Sequence, residues 1–407
     1  MRLKDIVNIN TSTLPENTDN SYIFKYIDIS SISSEGEICS DEYFTFYDAP
    51  SRARRIVKKG DVLVSTVRTY LRAIAPIRFD AKDVIASTGF AVCSPKKITN
   101  SQYLTYAIKN NRVIDDICKE STGVSYPAIT ASRLSSINIP YTNIEEQKAI
   151  ADYLDKKTGE IDTQIRLLEQ KQQAYEKLKK SLISEIITVG LLPNTELKDS
   201  GEKWIGEIPR HWHVRRFKEL FKHYSTGFTP DSKDTSNFSD EDINTWVTIA
   251  DLNSRIVSKS SLSLSTKAIS EHKPVITPKG SLLFSFKLSI GKTAFAGKDL
   301  YTNEAIVTIP PQKNMDLRYF YYLLPEICIN NATENIYGAK MLNQQIIANM
   351  IMPLPPIEEQ QTIADYLDRK IDEIDHNKYL IGKQINAYKQ LKQSLINEVI
   401  TGKRKIY

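Results

Sequence analysis

Apolar residues recur at every seventh place through two stretches of this chain. In the first, Leu154, Ile161, Leu168, Tyr175 and Leu182 keep that spacing, and Ile165 and Ile186 fall four places after two of them. In the second, Leu367, Ile374, Ile381, Tyr388 and Leu395 keep it, with Ile371, Ile385 and Val399 as companions. A period of seven with two apolar positions is the seam of a coiled coil. Helix-forming residues (Glu, Lys, Gln, Ala, Leu) fill most of the other places, and neither stretch holds a proline. Each stretch is therefore predicted to be one long helix. Pro140 stands before the first and Pro355-Pro356 before the second, where a missing N–H costs nothing. At ~1.5 Å per residue each helix would run roughly 60–65 Å.

The two stretches are copies of each other. Ile-Glu-Glu-Gln starts at Ile144 and again at Ile357, Ile-Ala-Asp-Tyr-Leu-Asp at Ile150 and Ile363, and Ser-Leu-Ile at Ser181 and Ser394. They align without a gap, with about 25 of 45 positions identical, so the chain carries an internal repeat. Near-identical helices can pair and bury both seams.

What remains is 1–143 and 190–356, each the size of one domain. Short β-branched and aromatic runs broken by turn residues predict mixed α and β structure in both. The two segments echo each other. Lys59-Gly60-Asp61-Val62-Leu63-Val64-Ser65 resembles Lys279-Gly280-Ser281-Leu282-Leu283-Phe284-Ser285, a turn glycine feeding an apolar strand. Ser87-Thr88-Gly89 stands where Thr302-Asn303-Glu304 does, and Gly123-Val124-Ser125-Tyr126-Pro127 where Gly338-Ala339-Lys340-Met341-Leu342 does. The expected organisation is an α+β domain at 1–143, a helix at 144–189, a crossover and second α+β domain at 190–356, and a helix at 357–403. One scaffold with different loops suggests one job done on two targets. In the crossover, Trp204 and Trp212 are expected to pin the chain to a surface.

Composition adds limits. The chain has 407 residues and a formal charge of +5, which permits nucleic-acid binding without demanding it. No apolar run reaches the ~18 residues of a membrane span. Met1-Arg2-Leu3-Lys4-Asp5 lacks the apolar core of a signal peptide. Cys39, Cys93, Cys118 and Cys328 are scattered, and reduced thiols in the cytoplasm are the simple reading.

Catalytic motifs fail on inspection. Gly291-Lys292-Thr293 looks like the tail of a phosphate loop, but Phe286 stands where that loop needs glycine. No dinucleotide fingerprint occurs, nor the Asn/Asp-Pro-Pro-Tyr/Phe segment of an adenine methyltransferase. His211 and His213 have no partners at metal-ligand spacing. Glu145-Glu146 and Glu358-Glu359 are better explained by the positive end of a helix dipole than by acid–base work. The chain reads as a binder with no catalytic, cofactor or metal residues of its own.

Pro-Leu-Pro-Pro-Ile-Glu-Glu-Gln from Pro353, followed by Ile363-Ala364-Asp365-Tyr366-Leu367-Asp368, resembles the helix start of the specificity subunit of type I restriction–modification enzymes. Trp204-Ile205-Gly206-Glu207-Ile208-Pro209, His211-Trp212 and Gly227-Phe228-Thr229-Pro230 resemble that family's recognition-domain entrance. The first copy departs: Pro140-Tyr141-Thr142-Asn143 replaces the proline-rich lead-in, and the N-terminus lacks the tryptophan-containing entrance. The resemblance implies two target-recognition domains joined by two antiparallel helices in a pseudo-twofold arrangement. Each domain would read one half of a split, asymmetric site on double-stranded DNA. The subunit would have no activity itself and would recruit two modification subunits, which bind S-adenosylmethionine and methylate adenine. ATP-driven restriction subunits would be further partners. An adaptor presenting two protein-binding domains is the alternative.

On that reading, lysine and arginine supply affinity and base-edge contacts supply discrimination. The first domain offers Arg52, Arg54, Arg55, Lys58, Arg68, Tyr70 and Arg72. If Ser65 to Arg72 is extended, Arg68, Tyr70 and Arg72 share one side. The second domain offers Lys287 and Lys292. The loop residues Ser125, Tyr126, Tyr337, Lys340 and Asn343 complete the candidates.

Overall fold

The computed structural model describes residues 1–33, 36–334 and 340–406. It divides into two compact units, Met1–Gln170 with Ile381–Tyr407, and Lys171–Leu380. The two seven-residue repeats form helices Ile144–Val189 and Ile357–Ile400, and each unit takes part of both.

The first unit has two four-stranded sheets. In one, Val7–Ile9, Phe90–Pro95, Val62–Ser65 and Ile74–Pro76 lie side by side, all antiparallel. In the other, Tyr43–Thr45, Ile23–Ile27, Val84–Ser87 and Ala53–Ile56 lie in that order, with Ile23–Ile27 and Val84–Ser87 parallel. Leu63, Ala75, Phe90, Val92, Ile27 and Val84 close a core between them. The chain then runs through helices Ser101–Lys109, Asn111–Lys119 and Ala131–Ser136 into the first long helix.

The second unit repeats the plan. Its main sheet orders Ser225–Thr226, Ile306–Ile309, Leu282–Ser285, Thr293–Ala296 and Ile256–Val257. Trp246–Val247 and Tyr301–Thr302 form a parallel pair, as do Ile256–Val257 and Thr293–Ala296 in the main sheet, and helix Leu317–Asn331 replaces the broken pair of helices. Both apolar central strands are fully buried. Gly60 and Gly280, just before them, turn the chain at φ +93° and +84°, which a side chain would strain. Within the crossover, Leu197–Asp199 pairs antiparallel with Glu207–Pro209.

The repeated motif acquires a physical meaning at the start of each long helix. Gln147 and Gln360 are buried. Gln147 accepts from the backbone N–H of Asn100 (2.9 Å) and donates to Thr142 O (2.7 Å). Gln360 accepts from the N–H of Asp316 (3.0 Å) and donates to Pro355 O (2.9 Å). Asn100 and Asp316 are the N-caps of the helices that pack beside the long ones. Two turns on, Asp155 accepts from Tyr106 Oη (2.6 Å) and Asp368 from Tyr322 Oη (2.6 Å). Burial and the carboxylate together push both phenols above their ordinary range. Leu154 and Leu367, between these polar stitches, are fully buried.

Glu359, expected to answer only the helix dipole, has a second task. Its Oε2 accepts from Trp212 Nε1 (2.9 Å), and His211 Nε2 lies 2.6 Å from its Oε1. Trp212 is thereby buried in the second unit's core, and Trp204 packs against the same core.

The helices run antiparallel within each unit. In the first, Lys392 Nζ reaches Asp162 (2.6 Å); in the second, Lys179 Nζ reaches Asp375 (2.7 Å). These are the same pair under the repeat. Of the seam residues, Leu154, Ile161, Ile165, Leu367, Ile374, Ile381, Ile385 and Leu395 are buried, whereas Leu168, Tyr175, Leu182 and Tyr388 are half-buried. The returning end of the second helix is held in the first unit: Asn397 Oδ1 accepts from the N–H of Asn111 (3.0 Å) and Gln393 donates to Lys109 O (3.2 Å).

Removing either glutamine leaves buried backbone groups unpaired, which costs on the order of 1–3 kcal/mol. Gln147→Ala and Gln360→Ala should each lower the unfolding free energy by that amount, read as a lower denaturant midpoint, whereas exposed Gln173→Ala should leave it unchanged. Equal midpoints for all three would refute the stitch.

Candidate nucleic-acid interface

Each unit brings four segments together beside its main sheet. In the first they are the loop after Ser65, the turn Ser87–Gly89, the helical turn Ile29–Ser31 and the hairpin Thr122–Ala128. Thr66 N–H donates to Gly89 O (2.8 Å), Arg68 N–H to Pro127 O (2.7 Å) and Ile129 N–H to Thr66 O (2.9 Å). Ile29 packs on Gly89, where an added Cβ would lie 3.0 Å from its Cδ1. In the second unit the segments are Phe286–Gly291, Asn303–Ala305, Ile249–Asp251 and the strand pair Thr333–Glu334 with Lys340–Met341. Phe286 N–H donates to Ala305 O (3.1 Å). The four line a cleft of about 980 Å³.

The loop after Ser65 corrects the sequence expectation. It is not extended: Arg68 and Arg72 are left-handed, at φ +51° and +56°, and flank a helical turn at Thr69–Leu71. Side chains close the turn. Ser65 Oγ donates to Val67 O (2.6 Å), Thr66 Oγ1 to Gly89 O (2.8 Å), and the buried Thr69 hydroxyl meets Ser121 Oγ (2.9 Å). Short hydroxyl side chains that bond nearby backbone compete with a strand ladder. Arg68, Tyr70 and Arg72 therefore do not share a strand face. Arg68 instead stacks on Tyr126, 4.5 Å from the ring centroid. Arg72 donates to Asn111 Oδ1 (2.9 Å). Tyr70 and Ser125 are exposed.

The basic run on the neighbouring strand is partly committed elsewhere. Arg54 stacks on Phe46 (4.8 Å) and Arg55 donates to Thr13 Oγ1 (3.4 Å). The side chains of Arg52 and Lys58 are exposed. In the second unit, Lys287 and Lys340 line the cleft. Lys292 bonds Asn253 Oδ1 (3.0 Å). Asn343 is spent as a helix N-cap, accepting from Ile346 N–H (2.8 Å). Tyr337 lies outside the described residues.

Four cleft residues escaped the sequence reading: Leu288, Asn303, Glu304 and the Thr229 behind it. Thr229 sits in the entrance motif, whereas Leu288, Asn303 and Glu304 fall where the echo keeps position but not residue type. The bonds from Thr66 N–H to Gly89 O and from Phe286 N–H to Ala305 O set Glu304 opposite Thr88, one place off the sequence alignment. Among the described residues, no group of three His, Cys, Asp or Glu could hold a metal ion, and no helix is long and apolar enough to cross a membrane. The second unit's cleft and the matching loops of the first instead combine cations with flat or apolar side chains. Such sets neutralise phosphates and meet base edges.

Comparison with known proteins gives one consistent result. Residues 1–174 and 209–387 match the family model described as type I restriction modification DNA specificity domain. The type I restriction enzyme MjaVIII specificity subunit of Methanocaldococcus jannaschii is 25% identical over 342 residues, 80% of this chain and 75% of that protein. A solved chain reported under "Structural basis underlying complex assembly and conformational transition of the type I R-M system" is 24% identical with a TM-score of 0.77. That match covers 98% of this chain and 96% of the other. The HsdS subunit of Thermoanaerobacter tengcongensis has a TM-score of 0.56 at 23% identity, covering 99% and 96%.

Arg68→Ala keeps a non-glycine residue at a left-handed position, so thermal stability should hold. Loss of its guanidinium should weaken duplex binding by about 1–3 kcal/mol or relax one base position, measurable by fluorescence anisotropy on matched and substituted duplexes. Unchanged affinity and preference would remove Arg68 from the interface.

Proposed function

Because this chain belongs to the type I restriction modification DNA specificity domain family, we propose that it is the DNA-reading subunit of a type I restriction–modification complex. Each unit reads one half of a two-part asymmetric site. The observation that carries this is one loop frame built twice. The same four segments meet beside equivalent sheets, while the side chains they present differ: Arg68 stacked on Tyr126 in one unit, Lys287 and Lys340 around Glu304 in the other. A repeated frame with unlike linings suits two unlike half-sites.

The chemistry belongs to partners. Two modification subunits carry S-adenosylmethionine and methylate adenine, and ATP-driven restriction subunits complete the assembly, in the cytoplasm where the DNA lies. The subunit itself positions and does not catalyse. The exposed faces of the long helices offer the modification subunits a docking surface.

The helix pair sets the unread gap. Helices of 46 and 44 residues are roughly 65–70 Å long at ~1.5 Å per residue. Equivalent groove positions on B-DNA recur every ~34 Å. Units that each read three or four base pairs on one face of the duplex leave about six or seven unread between them.

Adding one heptad to both helices preserves the seam and lengthens the pair by about 10 Å. The methylated motif, mapped by sequencing in cells that also carry the modification subunit, should keep both half-sites and gain one to three unread base pairs. An unchanged gap with intact methylation would reject the ruler. A wild-type motif without two parts would reject the function.

A further inference from the structure

One residue of the second cleft runs against its electrostatics. Glu304 lines it beside Lys287 and Lys340, and its side chain is about half exposed (49%). A carboxylate facing a polyanion is repelled unless it meets a hydrogen-bond donor, because an ionised carboxylate can only accept. Phosphates and sugar ring oxygens offer it nothing. The donors a duplex shows in its major groove are the exocyclic amino groups of cytosine and adenine.

The frame holds Glu304 in that position. Thr229 Oγ1 donates to its Oε2, and the backbone N–H of Glu304 points back to the same hydroxyl (3.4 Å). Thr229 gets there because the chain passes very close to Thr302. A Cβ on Gly227 would stand 1.9 Å from Thr302 O, so only glycine fits, and Phe228 N–H then donates to Thr302 O (2.9 Å). The Gly227-Phe228-Thr229-Pro230 motif thus sets the carboxylate. Its other oxygen, Oε1, faces Lys287 Nζ at 3.9 Å. An exposed pair at that distance contributes little and is screened by salt, so both partners can turn to a ligand.

We propose that Glu304 and Lys287 together read one C·G base pair in the half-site of the second unit. This rests on the reading above that the unit binds DNA. Glu304 accepts from cytosine N4, and Lys287 donates to O6 or N7 of the paired guanine. Adenine fits less well, because its amino group adjoins the N7 acceptor, which suits Asn or Gln but leaves a carboxylate against a lone pair. Thr229 is a positioning residue. Leu288, 90% exposed on the same rim, offers apolar contact to a thymine methyl or a sugar and needs no role in this pair. The first unit has no carboxylate there: Thr66 N–H donates to Gly89 O as Phe286 N–H does to Ala305 O, so Thr88 stands where Glu304 does.

The test uses the full chain with its modification subunit, read out as the rate of methylation on synthetic duplexes carrying every substitution of the mapped motif. Wild type should show two half-sites, with a C·G pair in the one that Arg68→Ala leaves unaltered. Glu304→Gln should lower discrimination at that pair by about tenfold or more, with the other half-site and the gap unchanged. Thr229→Val should affect the same pair less strongly, with full binding to a non-specific duplex. A two-part motif with no C·G pair in that half would overturn the inference and leave the proposed function standing. So would a motif unaltered by both variants, or relaxation at an A·T pair. Absence of any two-part motif would instead overturn the reading on which it rests.

Discussion

Every other feature depends on a buried amide. Gln147 and Gln360 each join the first turn of a long helix to the N-cap of a neighbouring domain helix through bonds in both directions. A buried glutamine is costly unless both its donor and its acceptor are answered. Once answered, it fixes rotation about the helix axis as well as position. Asp155 and Asp368 repeat the constraint two turns later through tyrosine hydroxyls. A helix seated this way meets the domain helix beside it in one orientation, within its own unit. Apolar burial of Leu154 and Leu367 supplies free energy of similar size, roughly 2 kcal/mol each, but it would tolerate sliding that the amide forbids.

The pairing of the helices is specified in a similar way. Two near-identical sequences could align in several registers or in parallel. The Lys392–Asp162 and Lys179–Asp375 pairs favour one antiparallel register in both units. The copies also differ where it matters. Ile165 and Ile385 are buried in the first unit; the positions related to them by the repeat are Lys378 and Gln172, where Gln172 donates to Lys378 O (3.1 Å) in the second. One unit thus has an apolar layer and the other a polar one at the same level of the seam. A single polar layer costs stability and gains register, and its asymmetry tells the two ends of the pair apart.

The long helices, the repeat and the apolar strands after Gly60 and Gly280 were legible in the sequence because each is a periodic burial pattern. The loop after Ser65 was not. Its alternation of polar and larger residues imitates a strand, and its true shape comes from hydroxyls bonding the distant Gly89 carbonyl and Ser121 hydroxyl, which local spacing does not encode. Asn343 failed as a surface candidate for a related reason: it is polar because it caps a short helix. Arg54 and Arg55 belong to a basic run whose middle is held by Phe46 and Thr13. Composition could show that charge was available; only the fold shows which charges remain to be used.

The pattern of identity between the two halves follows from these constraints. Positions kept in both copies, such as Gln147 with Gln360 and Asp155 with Asp368, bond to groups of the frame, so a change on one side strands its partner. Positions that diverge, such as Thr88 against Glu304 or Arg68 against Leu288, are exposed, and a change there leaves no buried group unpaired. Divergence is therefore cheap where a ligand would be read and expensive where geometry is set. The same rule explains why the entrance motif with Gly227 and Thr229 belongs to the frame even though it touches the cleft. It occupies a backbone approach that only glycine permits, and whatever it holds out is fixed in place before any duplex arrives.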